Sequence, residues 1–237
     1  MQLDICLSPA QLSLFDLKGK TVVIIDVLRA TSTINTALDH GVKEVIPVST
    51  IEEGIEYKAK GYIVAAERGG KKYEGFDYGN SPFEYMSQAT AGKQLVLTTS
   101  NGTRALKMSE DADTIITASF LNLQSVIDYL KKQNNDILLF CAGWKDRFSL
   151  EDTLCAGAIA VGLEKFTKTH ADSTFVAKHL YSSFKEDLIA ALKQSNHYKR
   201  LENHGVSKDL EYCVTKNIFT SIPIWNGQSL TLINNSK

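Results

Sequence analysis

The sequence predicts an α/β fold: a largely parallel β-sheet with crossover helices, a helical C-terminal part and a terminal β-hairpin. Three observations carry this. Short β-branched runs alternate with amphipathic stretches up to about residue 150, the pattern of strands joined by helical crossovers. Beyond Ser149 the runs give way to long stretches of helical spacing. Near the end, Trp225-Asn226-Gly227-Gln228 contains the N-G pair of a tight hairpin turn.

Taken in order, Thr21–Asp26 (TVVIID) is a continuous β-branched run, as expected of a strand buried on both faces. Thr31–His40 reads as a helix stopped by Gly41. Glu44–Val48 is the next strand, and Thr50 with Glu53 forms a capping-box pattern opening a helix that ends near Gly61. Tyr62–Ala66 follows as a third strand. Ser81-Pro82-Phe83-Glu84 has the cap, the first-turn proline and the reciprocal acid of a helix start. Gln94–Thr98, Thr114–Ala118 and Asp136–Cys141 complete about six strands, with helices near Thr103–Lys107 and Asn122–Lys132. Leu150–Phe166 and Thr174–Gln194 read as long helices. The second carries Val176, Leu180, Phe184, Leu188 and Leu192 as its packing stripe. Short helices are expected at His197–Asn203 and Ser207–Lys216.

The 237 residues hold 26 basic and 27 acidic side chains, for a formal charge of -1. Without an excess of Lys and Arg, neither a nucleic-acid nor a membrane-surface partner is expected. A chain this long buries a core without disulfides or a structural metal. It shows no linker, repeat or low-complexity segment, so one domain over residues 1–237 is expected, with any subdivision near 145–150. Met1–Leu12 carries Asp4 and no apolar core segment, so no signal peptide is expected, and runs such as Ile137–Ala142 are too short to span a bilayer. Cys6, Cys141, Cys155 and Cys213 are scattered, as reduced thiols are, which makes the cytoplasm the expected location.

In open α/β sheets, ligands bind at the carboxyl ends of the strands. Those ends collect carboxylates, arginines, hydroxyls and glycines here. Asp26 to Thr33 follow the first run, Glu67-Arg68-Gly69-Gly70 the third, and Thr98 to Arg104 the fourth. Cys141-Ala142-Gly143-Trp144, leading to Ser149-Leu150-Glu151-Asp152, follow the sixth. An unpartnered carboxylate at the end of an apolar run is costly. Asp26 is therefore a cap or ion-pair partner, or else a metal ligand or nucleophile. Glu67 beside Arg68 fits a plain ion pair as well as a site. Glu151 and Asp152 occupy a first helical turn, where acids favour the positive dipole end, and two adjacent acids also suit a metal. Magnesium takes hard oxygen ligands and keeps waters and substrate phosphate oxygens. Arg29 and Arg104 each stand in a Gly/Thr/Ser-rich turn entering a helix, where amides and a guanidinium fork match phosphate or sulfonate.

Other chemistries fit less well. Cys141 to Arg147 has the C-x5-R spacing of cysteine-dependent phosphatases, but a bulky Trp144 and an acid, Asp146, crowd the would-be phosphate loop. Haloacid-dehalogenase chemistry would place a second Asp two residues after the first, where this chain has Leu28. No G-x4-G-K-[ST] or G-x-G-x-x-G loop is present. The five histidines show no ligand spacing; His197 and His204 read as surface residues, and Trp144 and Trp225 as packing.

Several stretches, in this order, resemble the 2-phosphosulfolactate phosphatase family. They are Asp26-Val27-Leu28-Arg29-Ala30-Thr31-Ser32-Thr33, Glu67-Arg68-Gly69-Gly70, Gly75-Phe76 with Gly79-Asn80-Ser81-Pro82, Thr98–Leu106, and Cys141-Ala142-Gly143 through Phe148-Ser149-Leu150-Glu151-Asp152 to Ala156-Gly157-Ala158. A weaker likeness runs on through Ser195, Leu201, Gly205, Asp209 and Cys213. There His197 and Lys199-Arg200 depart from the family pattern, so no function is carried onto them. The resemblance implies a Mg²⁺-dependent phosphatase acting in coenzyme M biosynthesis on a small anionic phosphorylated substrate, 2-phospho-3-sulfolactate. On that implication Asp26, Glu67, Glu151 and Asp152 hold Mg²⁺, directly or through water. Arg29, Arg68 and Arg104, with Thr31, Ser32, Asn80, Thr99, Asn101, Gly102 and Thr103, bind phosphate and a second anion. Asp26, Arg29 and Arg104 are the catalytic candidates. Two other readings stay open: another Mg²⁺-assisted phosphotransfer enzyme, or a non-catalytic binding protein for a small dianionic metabolite. The late helices could form the face of a homodimer.

Overall fold

A computed structural model describes residues 1–68, 71–99, 101–169 and 171–233. Gly69, Gly70 and Ser100, placed in strand-end turns by the sequence, lie outside the described residues. In chain order the elements are β1 (Leu3–Cys6), β2 (Lys20–Ile25), α1 (Ala30–Asp39), β3 (Glu44–Val48), α2 (Ile51–Ala59), β4 (Ile63–Arg68), β5 (Lys71–Lys72), β6 (Gln94–Thr98), α3 (Gly102–Met108), β7 (Thr114–Ala118), α4 (Leu123–Leu130) and β8 (Asp136–Cys141). The helical part follows: α5 (Leu150–Gly162), α6 (Asp172–Phe184), α7 (Leu188–Leu192), α8 (Asn196–Glu202) and α9 (Ser207–Cys213). The terminal hairpin is β9 (Pro223–Trp225) and β10 (Leu230–Leu232).

All the strands expected from apolar runs are present, and the fold is the α/β class that the alternation implied. The ten strands form one sheet in the order β1-β8-β2-β7-β9-β10-β3-β6-β4-β5. Two parallel blocks, β1-β8-β2-β7 and β3-β6-β4, flank the C-terminal hairpin. The hairpin therefore sits inside the sheet, pairing antiparallel with β7 on one side and β3 on the other. Three antiparallel pairings separate β7 from β3, so the two blocks run in opposite senses. Both nevertheless send their carboxyl ends to one cavity.

Local rules explain most elements. Val22 to Ile25 are fully buried because β2 is covered on both faces. Thr50 and Glu53 form the expected reciprocal capping box. Helix α1 is buried almost throughout despite its hydroxyls, which bond inward: Ser32 Oγ donates to Val27 O, Thr36 Oγ1 to Ser32 O, and Thr33 Oγ1 to Asn80 O, each at 2.8 Å.

The structure departs from the sequence reading in several places, the two-residue strand β5 among them. Leu3–Cys6 is a strand the reading did not assign; at four residues it is too short for periodicity to register, and it forms by pairing parallel with β8. Ser81-Pro82 opens only one 3₁₀ turn, since the Ser81 hydroxyl donates to Asp209 instead of capping. The helix expected over Thr174–Gln194 is broken after Phe184, because the Asp187 carboxylate caps a new helix at the Ala190 amide, 2.9 Å away. In α6 the buried residues are Thr174 and Ala177, while Val176 of the expected stripe is 52% exposed. The small residues of α5, Ala156 to Ala158, let α6 approach closely, and that contact sets the buried face.

Candidate active site

Asp26 follows the last residue of β2, and its carboxylate lines a cavity of about 310 Å³. It is buried, yet among the described residues the carboxylate accepts only one long hydrogen bond, from the Ala30 amide at 3.4 Å. Burial pushes its pKa up to about 6, with Glu151 and Glu67 adding to the shift and nearby His197 and the Ala30 amide opposing it. The segment that follows is folded by its own hydroxyls. Thr31 Oγ1 donates to Asp26 O at 2.9 Å and accepts from the Asp26 amide at 3.1 Å. Thr31 and Ser32 are therefore engaged with the backbone, and neither lines the cavity.

Arg29 lines the cavity from the floor and is buried between two carboxylates. Nη2 meets Glu67 at 2.8 Å and Nη1 meets Asp209. Burial alone would lower its pKa, but the two carboxylates outweigh this and raise it. Glu67 also accepts from Asn80 Nδ2 at 3.2 Å. Asn80, Thr99 and Asn101 complete this wall. Asn80 Oδ1 is buried with no partner among the described residues. Gly102 does not line the cavity but permits it: a Cβ there would stand 2.8 Å from Ala30 Cβ and 3.3 Å from Asp26 Oδ2.

The two acids of α5 separate in role. Asp152 Oδ1 accepts the Val27 amide at 2.9 Å and Oδ2 the Gly143 amide at 3.1 Å, so both oxygens tie loops together. Burial, with Glu151 and Asp26 nearby, raises its pKa well above the usual range. Glu151 Oε1 is hydrogen-bonded to His197 Nδ1, and Oε2 is buried without a partner among the described residues. Burial would raise the Glu151 pKa, but the His197 contact prevails and lowers it. Among the described residues no group of three or more His, Cys, Asp and Glu gathers as a metal cage.

Arg68 and Arg104 lie outside this cavity. With Thr103 they line a neighbouring hollow that shares only Thr99 with it, and Arg104 pairs with Asp146 at 2.7 Å on the surface. In their place stand residues that the sequence reading left aside: Trp144, Lys145, His197 and Arg200. His197 is not a surface residue; its side chain is 13% exposed and its ring stacks on Trp144 at 6.3 Å and 14°. The available signal was the three-residue spacing of His197 and Arg200, which puts both on one helix face. Cys141 is buried in β8 with its thiol pushed well above the usual range by burial, so it supplies no thiolate.

A buried carboxylate beside clustered cations at strand ends is the arrangement of a functional site for a small anionic ligand. The comparisons agree. The family model described as 2-phosphosulpholactate phosphatase matches residues 6–228. A Thermotoga maritima protein named "Probable 2-phosphosulfolactate phosphatase" is 46% identical over 204 residues, covering 86% of this chain and 88% of its own. A Clostridium acetobutylicum protein of the same name is 40% identical, with 97% and 100% covered. The chain belongs to the 2-phosphosulfolactate phosphatase family. Among the described residues no helix is long and apolar enough to cross a membrane.

Proposed function

We propose that the protein hydrolyses 2-phospho-3-sulfolactate to 3-sulfolactate and phosphate with the help of Mg²⁺. The observation that carries this reading is Asp26: a buried, cavity-lining carboxylate that, among the described residues, accepts one long hydrogen bond. Such a group is costly to keep and serves chemistry. Arg29, held rigid by Glu67 and Asp209, presents fixed positive charge to the phosphoryl oxygens, with Asn101 and Thr99 beside it. Asp26 acts on phosphorus directly or through a water that it orients. Trapping a phosphoenzyme that Asp26→Asn abolishes separates the two routes.

The donor set fits Mg²⁺ in a reduced form. Asp152 is engaged by two amides and Glu67 by Arg29 and Asn80, so Asp26 and Glu151 Oε2, which has no partner among the described residues, are the carboxylate oxygens that would hold it. Magnesium commonly binds through one or two carboxylates and completes its shell with water and phosphate oxygens. When bound, it would neutralise charge on the phosphoryl group. The test is a phosphate-release screen of phosphorylated hydroxy acids. Release from 2-phosphosulfolactate that vanishes on exhaustive chelation and returns with Mg²⁺ is the expected result. Tight binding with no release would leave the binding-protein reading in its place.

A further inference from the structure

We propose that Arg200 and Lys145, both set against Trp144, bind the two anionic groups of the substrate that are not transferred, and so decide its specificity. This rests on the phosphatase reading above and adds residues that the family resemblance did not supply.

The argument begins with charge. Arg29 is already matched by Glu67 and Asp209, and Arg104 by Asp146. Among the described residues no carboxylate forms an ion pair with Lys145 or Arg200, although both line the cavity. Arg200 Nε is buried with no hydrogen-bond partner among the described residues. A buried guanidinium nitrogen without an acceptor is costly unless a ligand supplies one.

Placement follows. Arg200 Cζ lies 5.0 Å and Lys145 Nζ 4.8 Å from the centroid of the Trp144 ring, so the indole holds both cations by cation–π attraction. Trp144 and Arg147 close a tight turn by exchanging backbone hydrogen bonds at 3.2 and 3.0 Å. Its two central residues, Lys145 and Asp146, both have positive φ, at 51° and 61°. Side chains other than Gly, Asn and Asp rarely adopt that conformation, so a lysine there is held against its preference. Its anchors are the Gly143 amide on Asp152 and Asp146 on Arg104. Strain of this kind collects at ligand clamps.

The chemistry closes the case. After the phosphoryl group is placed at Asp26, Thr99 and Asn101, a phosphosulfolactate still carries a carboxylate and a sulfonate. Two unmatched cations meet two unmatched anions. Arg200 offers a planar fork and Lys145 a point charge, and both read charge and oxygen geometry.

The experiment compares 2-phosphosulfolactate with 2-phospholactate, in which a methyl group stands where the sulfonated carbon is. In the wild type, phospholactate should be poorer in kcat/KM by about 10–100-fold, the size of one charge-assisted contact. Of Arg200→Gln and Lys145→Gln, the variant that removes the sulfonate's partner should collapse that ratio, with most of the loss in KM for phosphosulfolactate, and the one that removes the carboxylate's partner should raise KM for both substrates. Equal losses on both substrates in both variants would overturn the clamp. Calorimetric binding of 3-sulfolactate keeps the two readings apart. If no substrate releases phosphate but 3-sulfolactate binding weakens about tenfold or more in each variant, the clamp stands and the phosphatase reading fails. If phosphate is released and neither variant changes the ratio or the binding, the clamp fails alone.

Discussion

Asp152 and Val27 are joined across 125 residues by a hydrogen bond of 2.9 Å from the Val27 amide to one oxygen of the buried carboxylate. The other oxygen takes the Gly143 amide at 3.1 Å. One side chain at the start of α5 thus fixes both the loop that carries Asp26 and Arg29 and the loop that carries Trp144 and Lys145. Asp152→Ala would leave two buried N–H donors without acceptors, at a cost of about 2–5 kcal/mol. Urea unfolding should register that loss together with weaker turnover. A change below about 1 kcal/mol would show that the loops hold their shape without the clasp.

Asp26→Asn should separate stability from activity. The folded-state pKa of about 6 lies above the ordinary 3.8, so the native protein binds this proton more tightly than the unfolded chain does. Stability from that proton is complete below the unfolded value and lost as pH rises through the folded one. In chelator at pH 7–8 the Asn variant should therefore be more stable, by about 1–3 kcal/mol, while phosphate release is lost. The gap should close as pH falls from about 6 to about 4. Thermal melts across that range check it, and a gap that widens toward acid would reverse the sign.

Much of this site was legible in the sequence because it obeys one topological rule. Asp26, Arg29, Glu67, Asn80, Thr99 and Asn101 lie at or beyond strand ends, and the structure gathers all of them. Arg68 and Arg104 follow strand ends too but face a neighbouring hollow: Arg68 is one residue beyond Glu67 on an extended strand and points to the opposite face, while Arg104 stands in helix α3 and pairs with Asp146. His197 and Arg200 come from a late helix whose position depends on packing across the whole chain, so no local pattern placed them. The hairpin was visible as a turn, but its insertion between two strand blocks of opposite sense is a long-range pairing that turn chemistry does not specify. Trp144 sat in plain view after the sixth strand; an indole is read as packing until its cationic neighbours are seen.

Glu151→Gln tests the metal proposal. It keeps the volume and a hydrogen-bonding oxygen but removes the charge from the position whose Oε2 has no partner among the described residues. The Mg²⁺ concentration for half-maximal activity should rise by about 10–100-fold. An unchanged requirement, with activity still abolished by chelation, would move the metal away from α5.

Cys141→Ala addresses the thiol directly. Cys141 is fully buried in β8, and its thiol is held protonated by burial, so it should take no part in phosphoryl transfer. Losing the sulfur from a packed strand should cost about 1–2 kcal/mol in stability. Turnover of the folded enzyme should stay within about threefold of wild type, less than one hydrogen bond's worth. A fall of several orders of magnitude in the folded variant would restore the cysteine mechanism.

Gly102→Ala probes how closely two loops must approach. The added Cβ would meet Ala30 Cβ at 2.8 Å, closer than real carbon contacts allow, and Asp26 Oδ2 at 3.3 Å. Either α3 or the start of α1 must shift, and Asp26 lies at the junction. Overpacking of this kind costs about 1–3 kcal/mol. A displacement near 1 Å at a reacting group lowers rate by about a hundredfold. Ala30→Gly removes the nearer clash, so the Gly102→Ala, Ala30→Gly double variant should recover most of the lost kcat. Stability should return less completely, because glycine in the first turn of α1 loosens the helix. If the second substitution restores nothing, the close approach of Gly102 to Ala30 is not what holds Asp26 in place.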